Sequence, residues 1–327
     1  MTAGKANDTV RDTVQDMARY IAGRAGGGAG AGRPILLAGP TASGKSALAV
    51  AVAQRVGGVV VNADALQVYA NWRLLTARPG PEDLAAVPHA LYGHIGQNQD
   101  YSVGHWLRDL APLLEAGRQG SGPRPVIVGG TGLYMTVLTE GLTEIPMIPP
   151  AVRAESETLL AAGGLARMLD DLDLATRARI DTRNPMRVQR AWEVLRATGR
   201  GISEWQNRTG PALLPLADAA PFILDPGKAV LDDRILRRFD AMLAGGLLAE
   251  VAAQMPGWRQ VMPSSRAIGS PELVAHLRGL MTLADAREAA IIATRQYAKR
   301  QRTWLRNQLS RWERLLPEQD RSDNPKH

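Results

Sequence analysis

Apolar positions along this chain follow two patterns. Short continuous runs near residues 35–38, 58–61, 124–128 and 220–224 read as strands buried on both faces. The stretches 47–55, 102–108 and 232–255, and the one opening at Leu133, read as helices. Strand followed by helix, repeated, predicts an α/β fold with a doubly wound parallel sheet. Ligands of such a sheet bind beyond the carboxyl ends of its strands.

The pattern changes after residue 141. A proline-rich entry at 143–150 leads into charged, helical sequence up to about residue 204, before the 220–224 run returns to the sheet. The expected organisation is therefore a sheet core in two parts, 34–141 and 216–316, interrupted by a helical insertion at 142–215. Residues 1–33 read as a flexible extension and 317–327 as a disordered tail. Within the extension, Val10, Val14, Met17, Ala18 and Ile21 lie near helical spacing, and 23–32 is a Gly/Ala linker. Asp8, Asp12 and Asp16 argue against a transit peptide, and no secretory signal pattern is present.

The first strand runs directly into Gly39, Pro40, Thr41, Ala42, Ser43, Gly44, Lys45 and Ser46, a G-x-x-x-x-G-K-S loop that opens a helix. Its glycines let backbone N–H groups turn around a phosphate chain, and the helix N-terminus adds positive potential. Lys45 can reach the terminal phosphate and the Ser46 hydroxyl can ligate Mg²⁺. The second strand ends in Asp64, placed either to face a ligand or to cap the next turn. The 124–128 strand leads into a second glycine-rich turn, Gly129-Gly130-Thr131-Gly132, which should face the same crevice. No strand offers the paired acids of a water-activating site. His89, His94 and His105 fit no metal-ligand spacing.

Composition adds partners and location. The chain has 327 residues, 45% of them hydrophobic, and no apolar run near the ~20 needed to cross a membrane. It has no cysteine, which excludes disulfides and thiolate metal sites and fits a reducing cytoplasm. A formal charge of +7 points to a polyanionic partner, most simply nucleic acid. The basic residues concentrate at 295–311, where six occur without one acid. Arg295, Lys299, Arg302 and Arg306 recur along one helical face with Trp304 interleaved, either a solvated face or a phosphate-contacting stripe. Arg187 and Arg190, three apart, pose the same choice.

Several blocks together resemble the bacterial tRNA dimethylallyltransferases. They are GPTASGKS (39–46), DALQVY (64–69), VGGTGLY (128–134), RVQRAWEVLRATGR (187–200), SRAIG (265–269) and ATRQYAKRQRTWLRNQ (293–308). The resemblance implies a P-loop NTPase-like sheet with an inserted helical tRNA-binding region. It also implies transfer of a dimethylallyl group from dimethylallyl diphosphate to the N6 amine of the adenosine 3′ to the anticodon. The loop then holds a leaving diphosphate, with Mg²⁺ at Ser46, and no water needs activating. Asp64 takes the amine's proton, and Thr131 and Arg266 join Lys45 around the diphosphate. Contacts to the tRNA anticodon arm are implied for Asp64, Ala65, Leu66, Gln67, Thr131 and Arg153. They are implied also for Met186, Arg187, Val188, Gln189, Arg190, Arg266, Lys299, Arg302 and Arg306. The expected enzyme is a monomer. The chain departs from the family in Ala65, where Ser is usual, in Asn71-Trp72-Arg73-Leu74-Leu75, and in Ser270-Pro271. A small-molecule kinase and a non-catalytic RNA-binding protein are the other readings. The first predicts turnover of ATP and leaves the basic helix unexplained; the second leaves Lys45, Asp64 and Arg266 without work.

Overall fold

A computed structural model describes residues 3–26 and 32–315, with residues 3–11 as backbone only. The 27–31 part of the Gly/Ala linker and the 317–327 tail lie outside the described residues. The chain divides into two units, one running to Thr139 and resuming at Leu213, the other Glu140–Ala212.

The first unit begins with helix α1 (Ala3–Arg24) and continues β1 (Ile35–Ala38), α2 (Lys45–Val56), β2 (Gly58–Asn62), α3 (Pro81–Ala86), β3 (His89–Ala90), α4 (Val103–Gln119), β4 (Arg124–Gly129) and α5 (Gly132–Glu140). The second unit is helical: α6 (Pro150–Ala161), α7 (Leu165–Asp171), α8 (Leu174–Arg179), α9 (Pro185–Thr198) and α10 (Ile202–Gln206). The first unit resumes with β5 (Ala220–Leu224), α11 (Lys228–Ala244), α12 (Leu247–Gln254), α13 (Ser270–Leu277), α14 (Leu283–Gln308) and β6 (Glu313–Leu315).

The six strands pair in the order β3-β2-β4-β1-β5-β6, every pair parallel. Alternate residues of each strand feed opposite faces. Ile35, Leu37, Val60, Val126, Val128 and Phe222 pack with α2, while Leu36, Ala38, Val61, Ile127 and Ile223 pack with α4, α5 and α14. Both faces being covered, the strands read as unbroken apolar runs. Register aligns Ala38 with Gly129 and Asn62 with Val128, so the loops after β1, β2 and β4 leave the sheet side by side.

Two differences from the sequence reading have clear causes. Residues 1–33 read as a flexible extension, yet α1 packs Ala18 and Ile21 into the cluster around α2. The buried Arg124 guanidinium holds its end, donating to the carbonyls of Ala25 (2.8 Å), Gly26 (3.0 Å) and Arg33 (2.6 Å). The expected helix over 232–255 breaks into α11 and α12 at Gly245-Gly246, where Gly246 takes φ 96°.

Candidate active site

The phosphate loop is shaped by two left-handed positions, Ala42 (φ 63°) and Gly44 (φ 93°). They wrap the backbone over the N-terminus of α2, whose unpaired N–H groups and dipole favour an anion. The Lys45 Nζ donates to the Pro40 carbonyl at 3.1 Å, curling back over the loop. Burial lowers its pKa to about 8; Asp64 opposes that shift and Arg238 adds to it.

Asp64 faces the same pocket as Thr41, Lys45, Ser46 and Gln67. Its Oδ1 accepts the Leu66 N–H at 2.9 Å, so the turn-capping and pocket-facing readings both hold. The end of β2 is fixed beneath it. Asn62, fully buried, accepts the Asp64 N–H (2.9 Å) through its side chain and the Trp106 Nε1–H (2.7 Å) through its carbonyl. Burial first, and Asp64 second, push up the pKa of the Tyr92, Tyr134 and Tyr297 hydroxyls. The second glycine-rich turn lies alongside, with Thr131 Oγ1 accepting the Ala65 N–H at 3.1 Å.

Helix α14 locks the two loops together. Gln301 accepts the Thr41 N–H (2.8 Å) and donates to the Gly130 carbonyl (2.9 Å). A Cβ on Gly130 would lie 2.2 Å from the Gln301 amide, which is why glycine is needed there. Trp304 packs on the same turn: a Cβ on Gly132 would come within 2.4 Å of its ring.

Sequence reasoning missed two cations and most of the pocket wall. Arg238 on α11 lines the pocket and donates to Thr41 Oγ1 at 2.6 Å, and burial lowers its pKa while Asp64 opposes this. Arg234, one turn earlier, donates to the Ser43 carbonyl at 2.8 Å. Tyr297 and the wall residues Leu75, Thr76, Ala77, Ile268 and Thr294 complete the lining. The available signal was the i, i+4 spacing of Arg234 and Arg238, which puts two cations on one helical face.

Other expected residues fall elsewhere. Arg266 is exposed at the end of the 263–266 turn and does not line this pocket, although its charge reaches Tyr69. On α14, Lys299 and Arg306 are exposed, whereas Arg302 Nε lies 2.9 Å from both Asp225 oxygens and Arg295 pairs with Asp232 at 3.7 Å. The stripe without acids in sequence is thus partly neutralised by acids from β5 onward. In the 140–212 unit, Arg153, Met186, Arg187 and Arg190 are exposed. Val188 and Gln189, expected to contact the same RNA, are buried. Val188 packs with Met168 and Trp192, and the Gln189 amide donates to Ser156 Oγ at 2.9 Å. A larger cavity, about 850 Å³, lies in that unit; among its lining residues Trp192 pairs with Asp171 and Arg196 with Glu155.

Residues 67–308 match the family model described as IPP transferase, and 33–90 one described as isopentenyl transferase. A tRNA dimethylallyltransferase of Cereibacter sphaeroides is 60% identical over 283 residues, 86% of this chain and 88% of the relative. The chain belongs to the tRNA dimethylallyltransferase family. A second family member, from Dinoroseobacter shibae, is 57% identical over 290 residues, 88% of this chain and 96% of the relative. Among solved structures, a full-length tRNA isopentenylpyrophosphate transferase from Bacillus halodurans superposes with TM-score 0.62 at 30% identity, covering 87% of this chain and 89% of that one. A eukaryotic dimethylallyltransferase acting on tRNA shares the fold, with TM-score 0.74 at 24% identity over 89% of this chain and 75% of that one. This family member is accordingly a prenyltransferase on a P-loop NTPase-like sheet.

Proposed function

We propose that this enzyme transfers a dimethylallyl group from dimethylallyl diphosphate to the N6 amine of the tRNA adenosine 3′ to the anticodon. The observation that carries this reading is the shared pocket: one carboxylate, Asp64, faces the same space as the phosphate loop and the half-buried cations Lys45 and Arg238. The amine lone pair attacks the allylic C1, the C1–O bond breaks, its electrons leave with diphosphate, and Asp64 takes the proton lost from nitrogen. Lys45, Arg238 and the α2 N-terminus stabilise the charge growing on the leaving group. Thr131 and Arg266 are assigned supporting roles there by family resemblance.

Among the described residues no three His, Cys, Asp or Glu side chains form a cluster able to hold a metal ion. A Mg²⁺ would instead be held by the Ser46 hydroxyl at the pocket and by oxygens of the diphosphate, the mixed ligand set this ion favours. Bound so, it would add to the neutralisation of the leaving diphosphate. The partner RNA is the anticodon arm, whose loop bases are the least costly to extrude. Lys299 and Arg306 offer exposed charge to its backbone.

Two expectations arise directly. Arg306→Ala should lower the slope of log RNA affinity against log salt by about 1. Arg302→Ala should leave that slope nearly unchanged, because Asp225 already offsets its charge. Equal slopes for the two variants would count against this division of the stripe.

The second concerns pH. With its pKa lowered to about 8, Lys45 loses its proton in the free enzyme as pH rises through that value. The diphosphate binds the ammonium form, so donor affinity should fall above about 8, with a proton taken up on binding. Folding responds with the opposite sign. Between about 8 and 10.5 the unfolded chain holds this proton and the native chain does not, so the lysine's contribution to stability rises with pH. Calorimetric titration of a non-reactive donor analogue in two buffers of different ionisation heat measures that proton. Competition with ATP in the same experiment tests the reading itself, since tighter binding of ATP would favour a kinase.

A further inference from the structure

The turn over residues 71–77 ends in the pocket wall, where Leu75, Thr76 and Ala77 line the same space as Asp64 and Gln67. This is the segment whose sequence departs from the family pattern, so its support has to be found in this chain. A single carboxylate supplies much of it. Glu250 on α12 accepts three consecutive backbone N–H groups: Oε1 takes those of Arg73 (2.7 Å) and Leu74 (2.8 Å), and Oε2 that of Leu75 (2.9 Å). Hydrogen bonds to an ionised acceptor are roughly twice as strong as neutral ones.

The far side of the same turn grips a pocket residue. The carbonyls of Thr76 (2.7 Å) and Ala77 (3.1 Å) both accept from Gln67 Nε2. With its amide nitrogen so engaged, the Gln67 side chain is fixed in the wall three residues from Asp64. Ala77 holds φ 54°, a left-handed conformation that alanine keeps only where its surroundings impose it. Trp72, fully buried, anchors the near side through Nε1 to the Ser264 carbonyl at 2.9 Å.

We infer that Glu250 is a positioning residue for the transfer reaction. By gathering the N–H groups of residues 73–75 it fixes the backbone whose next two carbonyls orient Gln67 in the pocket. Glu250 itself does not line that pocket and acts only through the turn. The inference rests on the pocket being the reaction site proposed above. A plain brace between helix and turn would put its whole effect into stability; a positioning role puts it into the rate.

Glu250→Gln tests this, because it keeps the size but turns an NH₂ group towards backbone donors. Single-turnover transfer at saturating donor should fall about 10²-fold, the cost of misplacing a reacting geometry by about 1 Å. Binding of a non-reactive donor analogue should stay near wild type, and a cooperative melting transition should persist at a modestly lower temperature. The double variant with Gln67→Ala should be no slower than Gln67→Ala alone, since both remove the same placement. Additive losses would overturn the inference, as would a wild-type rate in Glu250→Gln. Loss of the melting transition together with donor binding would make Glu250 a folding residue and overturn it too. Wild-type enzyme run alongside separates the two levels. If it transfers no dimethylallyl group, the proposed reaction fails and this inference with it; if it does, only the role of Glu250 is at stake.

Discussion

Asp64→Asn is expected to slow single-turnover transfer by about 10²–10⁴-fold, the usual cost of removing a general base. Asparagine matches aspartate in size. Its carbonyl oxygen can still accept the Leu66 N–H that Asp64 Oδ1 accepts at 2.9 Å, so the turn after β2 should persist. What it lacks is the ability to take the proton lost by the attacking amine. That amine is neutral before attack, so RNA affinity should change far less than rate. Donor affinity should rise if it changes at all, because a negative charge near the diphosphate is gone. Rapid-quench transfer to an anticodon stem-loop, beside direct binding of the same RNA, separates the terms. A rate within about threefold of wild type, well short of base catalysis, would mean that Asp64 only positions the adenine. A collapse of RNA binding without a rate defect would make it a recognition residue.

Arg238→Ala should lower the transfer rate by about 10²–10³-fold, the scale of removing one donor from a developing anion. Its guanidinium donates to Thr41 Oγ1 and lines the pocket, so its loss removes a half-buried cation where the leaving group gathers charge. A second consequence follows from the same electrostatics. Arg238 helps hold the Lys45 pKa down, so its removal should move the pH at which donor binding weakens above about 8. Stem-loop affinity should stay close to wild type. A normal rate with an unmoved pH profile would show that Arg238 supports the loop without facing the diphosphate.

Legibility in the sequence followed burial. The central strands β1, β2, β4 and β5 are covered on both faces and announce themselves as apolar runs, and the β1 loop carries its chemistry in contiguous residues. The edge strands β3 and β6, two and three residues long and partly exposed, carry no such signal. Docking of α1 was hidden because its partner surface on α2 lies beyond a Gly/Ala segment that interrupts the pattern. Arg238 was hidden among Arg234 and Arg237 in what reads as an ordinary charged helix. The stripe on α14 looked uncompensated because Asp225 lies 77 positions from Arg302. Asp64 posed a choice between cap and ligand-facing acid that the structure dissolves, since one oxygen caps while the residue lines the pocket. The 71–75 segment looked like a simple departure from the family, and its support sits on α12, where Glu250 gathers its N–H groups.

The most direct test is mass analysis of an anticodon stem-loop after incubation with the purified enzyme, Mg²⁺ and dimethylallyl diphosphate. One dimethylallyl group should replace one hydrogen, and fragmentation should place it on the adenosine 3′ to the anticodon. A stem-loop with guanosine at that position should remain unmodified, and release of diphosphate should match the RNA modified. An unmodified adenosine stem-loop in the presence of demonstrable donor binding, or consumption of ATP in place of the donor, would contradict the account.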